Sequence, residues 1–489
     1  MRNTMREPWS DDAPKYLQIA RRIGQDIKAG RRTERRLASQ RNLAREFGVG
    51  RNTIIKAMDI LKRDGLIDTL PRVRPTVSAP SHDFAQKLEG FMARSGFEHT
   101  PYHEASHVRD SSLYDVINMS RYNDERWDDY LNADLIVDAL RDRVAKMKAG
   151  LFANLYDSAG QPELRELLSD YVSDYTGFRV KPSQILILSQ WMQTFRLIAE
   201  VLLGPGVELW LPQHSLARLY GIGVRQAAHR RYLPADAQGT IITPMLKSKL
   251  HKVIVLDPDG QKPDGMTVSI PRRRELVSFA RTTGSFIVED GYTREFVEDP
   301  MPPLLSFDPD LHSVIHLGAS PIAITPFAGL VWVVANEKLI EQFRACVRHE
   351  LLSTSHGPQL VITELLASGR YHDMVARSRA YHRAQLAKVQ AILNRELTGL
   401  GTWVCPAGFG SIWFDVRPDV SVKKLYATRV GIDFQPGYLY GEKGGNHIAL
   451  RYNMPIDRFE EGIRRLAALI RHTLARNDGH REINREREH

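Results

Sequence analysis

Polar side chains near the start of one short segment have the chemistry that recognises DNA. Arg51, Asn52 and Lys56 can donate hydrogen bonds to base edges or phosphates. In a helix they would share an outward face with Ile55, opposite an apolar face formed by Ile54, Ala57, Met58 and Leu61. A recognition helix presents its N-terminal end to the major groove, so this end of the segment is a candidate DNA-reading surface.

The elements that must hold this helix follow from the same periodicity. Apolar positions predict a helix over residues 15–30 that ends at Gly30. Ser39 can cap a second helix, and Gly48 gives a tight turn into the third one. Two short helices joined by such a turn form a helix-turn-helix. Strands of a small β-wing are then predicted from Leu66, Ile67, Thr69, Val73 and Val77.

The net charge of the chain is confined to this region. Residues 1–80 contain 18 Lys/Arg and 9 Asp/Glu, whereas the other 409 residues contain 49 of each sign. The whole excess of +9 therefore belongs to the first sixth of the chain. An excess of positive charge concentrated in one small domain is typical of a nucleic-acid-binding domain.

Several other classes of protein are disfavoured by composition. We find no run of about 18 apolar residues and no apolar signal region near the N-terminus, which predicts neither a membrane partner nor secretion. Cys346 and Cys405 have no metal-ligand spacing. We therefore expect a cytoplasmic protein without a metal site.

Residues 14–77 resemble the winged helix-turn-helix of GntR regulators. KYLQIARRIGQDIKAG and LASQRNLAREFGVGRNTIIKAMDILKRDGLI follow that family's pattern, except that Ala38 replaces a proline. The resemblance implies phosphate or guanine contacts from Arg41 and Arg51, supported by Thr53 and Lys56. The family's glycine-rich wing tip is replaced here by a basic, proline-flanked one. Its arginines are expected to contact phosphates or the minor groove: Arg72 and Arg74.

The rest of the chain predicts a larger α/β domain. Residues 78–112 have little sustained pattern and are interpreted as a linker. From 113 to 474, helical segments alternate with short apolar runs, which is typical of a mostly parallel sheet. Residues 475–489 are interpreted as a charged tail. The predicted strands are 184–188, 208–211, 252–256, 285–288, 314–317 and 329–334.

This domain resembles the type I aminotransferase fold, as it occurs fused to GntR domains in MocR regulators. The resemblance rests on ordered pieces such as YDSAGQPELRELLSDYV, FIVEDGYTREF and HIALRYNM. It implies pyridoxal phosphate (PLP) chemistry, which needs an acid at the pyridine nitrogen and a lysine for the Schiff base. Asp290 matches that acid, Tyr292 the partner of the ring hydroxyl, and Arg451 the arginine that binds a substrate carboxylate.

The same alignment places other residues where the family has its cofactor-binding groups. Ile322 stands at the lysine position, and no lysine occurs between Lys262 and Lys338. Trp191 falls in the small phosphate-binding loop, and Leu216 at the position of the ring-stacking aromatic residue. We therefore predict a degenerate PLP site, with no covalent cofactor and no catalytic residue.

Three interpretations of the whole chain remain at this point. The first is a homodimeric transcriptional regulator that binds a double-stranded DNA operator and senses a small carboxylate or amino-acid-like effector. A variant of it binds PLP non-covalently. The second is an active aminotransferase that carries a DNA-binding module. The third is a DNA-binding dimer whose large domain is only structural, which a pocket filled by side chains would favour.

Overall fold

The computed structural model divides the chain into two units, Met1–His99 and Thr100–His489. The division falls within the predicted linker 78–112, which lies outside the described residues. The described residues are 14–28, 37–63, 67–68, 76–77, 117–119, 132–146, 157–215, 229–321, 324–325, 328–349, 354–408, 410–429, 431–441 and 445–487.

In its described residues, the N-terminal unit has three helices and a short pair of strands. Its elements are α1 (Lys15–Lys28), α2 (Gln40–Phe47), α3 (Arg51–Arg63), β1 (Ile67–Asp68) and β2 (Thr76–Val77). The two strands pair antiparallel, as a wing requires. The predicted apolar faces meet in one core, which contains Ile19, Ile23, Leu43, Ile54, Ala57, Met58 and Leu61. The prediction of a helix-turn-helix is therefore confirmed.

The larger unit alternates helices and strands. Several helix ends carry local signals, such as proline at the first position of α5 and left-handed glycine after it, at Gly177. Its helices are α4 (Ala133–Lys146), α5 (Pro162–Thr176), α6 (Trp191–Leu202), α7 (Ile270–Thr283), α8 (Glu337–His349), α9 (His356–Ala367), α10 (Arg370–Leu397), α11 (Val422–Thr428) and α12 (Ile456–Arg487).

The strands of this unit fall into a large sheet, a smaller sheet and short pairs. They are β3 (Ile117–Asn118), β4 (Ile185–Leu188), β5 (Val207–Pro212), β6 (His229–Leu233), β7 (Ala235–Asp236), β8 (Gly239–Thr240), β9 (His251–Leu256), β10 (Phe286–Asp290), β11 (Val314–Ser320), β12 (Leu330–Val334), β13 (Gly401–Val404), β14 (Ser411–Val416), β15 (Ile432–Asp433), β16 (Gln435–Pro436) and β17 (His447–Arg451). β3 pairs with β15, and β7 with β8.

The large sheet has the strand order β4-β12-β11-β10-β9-β5-β6. The strands from β11 to β6 are parallel, whereas β12 runs antiparallel to both of its neighbours. The prediction of a mostly parallel sheet is confirmed, and the reversed strand is an addition to it. Continuous apolar runs such as ILIL in β4 are buried throughout, as a sheet covered on both faces requires.

Close packing fixes the register where β11 meets β12. Gly318 lies opposite Trp332, and a Cβ atom on Gly318 would come within 2.0 Å of the indole Nε1. No real side chain tolerates that distance, so this position requires glycine for a steric reason.

The smaller sheet has the antiparallel order β13-β14-β17-β16 and packs with α11 and α12. We call this part the small lobe, and the large sheet with its helices the large lobe. Helix α10 contributes its first turns to the large-lobe core through Tyr371 and Met374. Its last turns belong to the small-lobe core through Val389 and Leu393. One 28-residue helix therefore joins both lobes.

The C-terminal segment differs from the prediction. The sequence predicts a charged tail from residue 475, but helix α12 continues to Arg487. The segment contains Gly479 but no proline, and its arginine and glutamate residues favour a helix. Across the part of the chain that the structure describes, no helix is both long enough and apolar enough to span a bilayer.

Candidate functional site

Local hydrogen bonds build the helix-turn-helix of the N-terminal unit. The Ser39 hydroxyl accepts from the Asn42 amide at 3.3 Å and caps α2, as predicted. Gly48 ends α2 at φ 63°, a left-handed conformation that favours glycine. The Gly50 carbonyl then accepts from the Thr53 amide at 3.0 Å, which starts α3. The turn therefore sets the angle at which α3 leaves α2.

The predicted DNA-contacting residues of α3 lie on its open face. Arg51, Asn52 and Lys56 are exposed, and Thr53 is half-buried. Arg51 Nε donates to Gln40 Oε1 at 3.2 Å, which joins the start of α3 to the start of α2. The ammonium group of Lys56 lies 5.7 Å from the ring centre of Tyr16.

The other predicted DNA contacts are Arg41 on α2 and the two arginines of the wing. Arg41 is exposed on the first turn of α2, beside the Gln40 that accepts from Arg51. Arg72 and Arg74 lie outside the described residues. The structure thus brings Arg41 and Arg51 to neighbouring helix starts, where backbone amides also favour phosphate.

In the large lobe, a pocket lies where parallel strands end. β10 ends at Asp290, Asp257 follows β9, and Ser215 follows β5. These carboxyl ends share one edge of the sheet, the usual ligand edge of α/β folds. The three residues line a cavity together with Trp191, Gln261 and Lys262. The cavity measures about 20 Å³, which is room for about one water molecule.

The side chain of Trp191 contacts Asp290 within this cavity. Its indole Nε1 donates to Asp290 Oδ2 at 3.0 Å. The Tyr292 amide donates to Asp290 Oδ1 at 3.0 Å. Both oxygens of this carboxylate, which is 7% exposed, are therefore engaged within the chain.

Lys262 is a member of the pocket that sequence reasoning missed. Its ammonium nitrogen lies 3.4 Å from Asp257 Oδ2, 3.5 Å from Thr293 Oγ1 and 5.0 Å from the ring centre of Tyr292. The available signal was its place in a loop that begins at the carboxyl end of β9. In the sequence alone, Lys262 only marks the start of a stretch without lysine.

The pKa of the Asp257 carboxyl is raised above its ordinary value. Burial raises its pKa, the ammonium of Lys262 lowers it, and the carboxylate of Asp290 raises it again, to a net value of about 6. The hydroxyl of Thr293 donates to Asp257 as well. Two aspartates and one lysine leave this pocket with negative charge, which is unfavourable for a phosphate group.

Behind the pocket, a buried hydrogen-bond chain supports strand β10. Glu289 accepts from the Leu304 amide at 2.5 Å and pairs with His316 Nδ1 at 2.8 Å. The other ring nitrogen of His316 is hydrogen-bonded to Tyr175 at 2.9 Å. Burial would raise the pKa of Glu289, but His316 and the amide together hold it below the ordinary value. These contacts fix the strand that presents Asp290.

Arg451 lies apart from that cavity. It ends β17 in the small lobe, where its amide donates to the Met119 carbonyl at 3.0 Å, and it is 2% exposed. Burial lowers the pKa of its guanidinium well below the ordinary value. The residues that line the cavity, as far as the chain is described, include Asp290 but not Arg451. Ile322 and Leu216 lie outside the described residues.

A metal centre has no ligand set in the described ranges. We find no group of three or more His, Cys, Asp or Glu side chains close enough to hold an ion. The two cysteines, Cys346 and Cys405, are not joined by a disulfide.

Comparisons with known proteins agree with the two-unit architecture. Residues 15–77 match the family of bacterial regulatory proteins called the gntR family. Over its length the chain is 28% identical to the HTH-type transcriptional regulator YdfD of Bacillus subtilis, covering 95% of this chain and 98% of that protein. It is 23% identical to the HTH-type transcriptional regulator NorG of Staphylococcus aureus, covering 83% and 93%.

Solved structures share the fold of the larger unit. The kynurenine aminotransferase of Pyrococcus horikoshii superposes with a TM-score of 0.70 at 20% identity, covering 80% of this chain and 99% of that one. LysN, the α-aminoadipate aminotransferase of Thermus thermophilus, gives a TM-score of 0.68 at 20% identity, with the same coverage. At this level of identity the likeness concerns the fold alone.

Together these findings define the class. The chain is a transcriptional regulator with an N-terminal GntR-type helix-turn-helix domain and an aminotransferase-like larger unit. That union is consistent with the MocR type of GntR regulator.

The bond between Trp191 and Asp290 can be tested by replacing the indole. We expect Trp191→Gly to destabilise the protein, by less than the about 3–5 kcal/mol typical of a fully buried aromatic residue, because Trp191 is half-buried. Added indole should restore part of the lost thermal stability, because it refills the space and donates to Asp290. Melting temperatures with indole and with 1-methylindole, which has no N–H, measure the hydrogen bond. Equal rescue by both compounds would exclude a contribution from Asp290.

Proposed function

We propose that α3 recognises a specific operator through Arg51, Asn52 and Lys56. The supporting observation is the contrast between the two faces of this helix, one buried in the core and the other open and basic. Arg51 and Asn52 have the donor geometry for guanine and adenine edges. Arg41, and the wing arginines predicted from sequence, would add phosphate contacts that position the head.

Replacement of Arg51 by alanine tests this proposal. We expect specific binding to weaken by about 1–3 kcal/mol, roughly 5- to 150-fold, because a charged donor to a base edge or phosphate is lost. The measurement is fluorescence anisotropy with DNA that the wild-type protein selects from a random library. Arg21→Ala is the control, since Arg21 is exposed on α1 in the same unit and the charge change is identical. An equal effect of both variants would contradict base recognition by α3.

The regulator is proposed to act as a homodimer. Helix α4 exposes an apolar stripe of Val137, Leu140 and Val144, which are 55%, 42% and 56% exposed. A stripe of this kind on a helix is typical of a protein interface. A second copy of the chain would cover it and bring two DNA-reading heads to a palindromic operator.

A charge placed in this stripe should weaken the dimer. We expect Leu140→Asp to shift the protein towards monomer in sedimentation experiments, because a carboxylate would be buried in the interface. Leu246→Asp is the control, since Leu246 is 63% exposed and lies outside α4. A dimer that resists Leu140→Asp as well as Leu246→Asp would place the interface elsewhere.

The large unit is proposed to have no enzymatic activity. The fold implies PLP, but the described residues do not fit that cofactor. Asp290, which would bind the pyridine nitrogen, is engaged by the indole of Trp191. The cavity beside it is about 20 Å³, far smaller than pockets for ligands of that size. The side-chain nitrogen of Lys262 lies 3.4 Å from Asp257 Oδ2, within the chain's own ion pair.

An effector carboxylate is proposed to bind Arg451. Taking this guanidinium out of water lowers its pKa well below the ordinary value. A carboxylate bound against it would offset that cost with a charge-assisted, two-pronged hydrogen bond. An amino-acid-like molecule or a small carboxylate meets this requirement, and its binding could change DNA affinity by a coupling of about 1–3 kcal/mol.

A thermal-shift screen of amino acids and small carboxylates tests the effector proposal. We expect a compound that raises the melting temperature of the wild type to have no effect on Arg451→Gln. Arg417→Gln is the control, because Arg417 lies in the same lobe and is 46% exposed. PLP in the same screen should give no borohydride-sensitive absorption band. A response that survives Arg451→Gln would place the effector at another site.

A further inference from the structure

A second cavity lies between the two lobes of the larger unit. Its walls come from the middle of helix α10, from the segment after β10 at Phe296 and Glu298, and from the loop before β14 at Gly408. The cavity measures about 250 Å³, which approaches the volume of small-molecule pockets. It shares no lining residue with the cavity at Asp290.

Two arginines on successive turns of α10 give this cavity a basic side. Arg379 Nε donates to the Glu295 carbonyl at 3.1 Å, which fixes its guanidinium at the rim. Arg383 pairs with Glu298 across the opening. Both members of that pair are about 60% exposed, at 63% and 61%. Exposed ion pairs are weak, so a ligand carboxylate can replace Glu298 on Arg383 at little cost.

The remaining walls are apolar or uncharged. Phe296, Leu386 and Gly408 provide an apolar surface. His382 packs edge-on against Phe296, with ring centres 5.1 Å apart. Burial lowers the pKa of His382 to about 4, so its imidazole is neutral near pH 7. The side chain of Gln390 adds a neutral polar group.

The cavity depends on how the lobes meet. A Cβ atom on Gly408 would lie 3.0 Å from the backbone of Phe296, so the small-lobe loop touches the large-lobe segment here. The Tyr452 hydroxyl donates to the Gly408 carbonyl at 2.8 Å. A ligand in this cavity would therefore contact residues of both lobes.

We propose that this cavity is a second ligand site, which binds a small carboxylic acid with a ring-sized apolar body. The carboxylate replaces Glu298 on Arg383 and contacts Arg379. The apolar body lies against Phe296 and Leu386. Because its walls come from both lobes, the bound acid stabilises the angle between them. This site goes beyond the effector proposed at Arg451 and does not depend on it.

Benzoate is a suitable probe, and benzamide is its uncharged match. In titration calorimetry with the full-length protein, benzoate should bind and benzamide should not. Arg383→Gln should weaken benzoate binding at least about tenfold, because a charge-assisted bond is lost. Glu298→Gln should strengthen it several-fold, since the competing carboxylate is removed. Arg383 is an exposed side chain, so its replacement leaves the fold intact.

Two control variants separate this site from others. Arg451→Gln should leave benzoate binding unchanged, and so should Arg348→Gln, which removes another exposed, ion-paired arginine of the same unit. Loss of binding in Arg451→Gln would assign benzoate to the proposed effector site instead. No benzoate binding to the wild type, or equal binding to Arg383→Gln, would overturn the proposal. Failure of the Arg451 effector screen would leave this result standing.

Discussion

A buried carboxylate at the end of a strand needs hydrogen-bond donors. The groups that donate to Asp290 determine which side chains fill the strand-end pocket of the large lobe. Here one donor is a backbone amide and the other is the indole of Trp191. The indole therefore lies at the strand ends, where a ligand of this fold would be bound. The larger unit has the fold of an aminotransferase, and the hydrogen bonds to both oxygens of Asp290 come from the chain itself.

Much of the N-terminal unit could be predicted because its physical signals are local. Helical spacing, the Ser39 cap and the Gly48 turn each involve residues a few positions apart, and the structure contains all three. Six of the seven strands described in the large sheet were also predicted, since they are short and apolar and are mostly buried. The edge strand β6 was missed, because its sequence HRRYL is polar and largely exposed. The reversed direction of β12 was not, because strand direction depends on the path of the connection and not on the strand's own residues.

The pocket shows the limit of the same reasoning. The resemblance placed Asp290 and Tyr292 in one site and Trp191 in the phosphate-binding loop. It could not show that the indole nitrogen bonds to Asp290, since a three-dimensional contact over 99 positions leaves no local signal. Lys262 was overlooked for the same reason: its partner Asp257 is near in sequence, but the pocket that contains both forms only when several strands align.

The occupation of Asp290 by Trp191 has a consequence for how such a protein can change. If the large unit is catalytically silent, a lysine acquired at position 322 would not by itself restore an enzyme, because the indole would still engage the carboxylate. Losing Trp191 alone would leave a cavity and no lysine, at a cost in stability. Each change alone is therefore expected to give no catalysis or to destabilise the protein, so both would have to occur together.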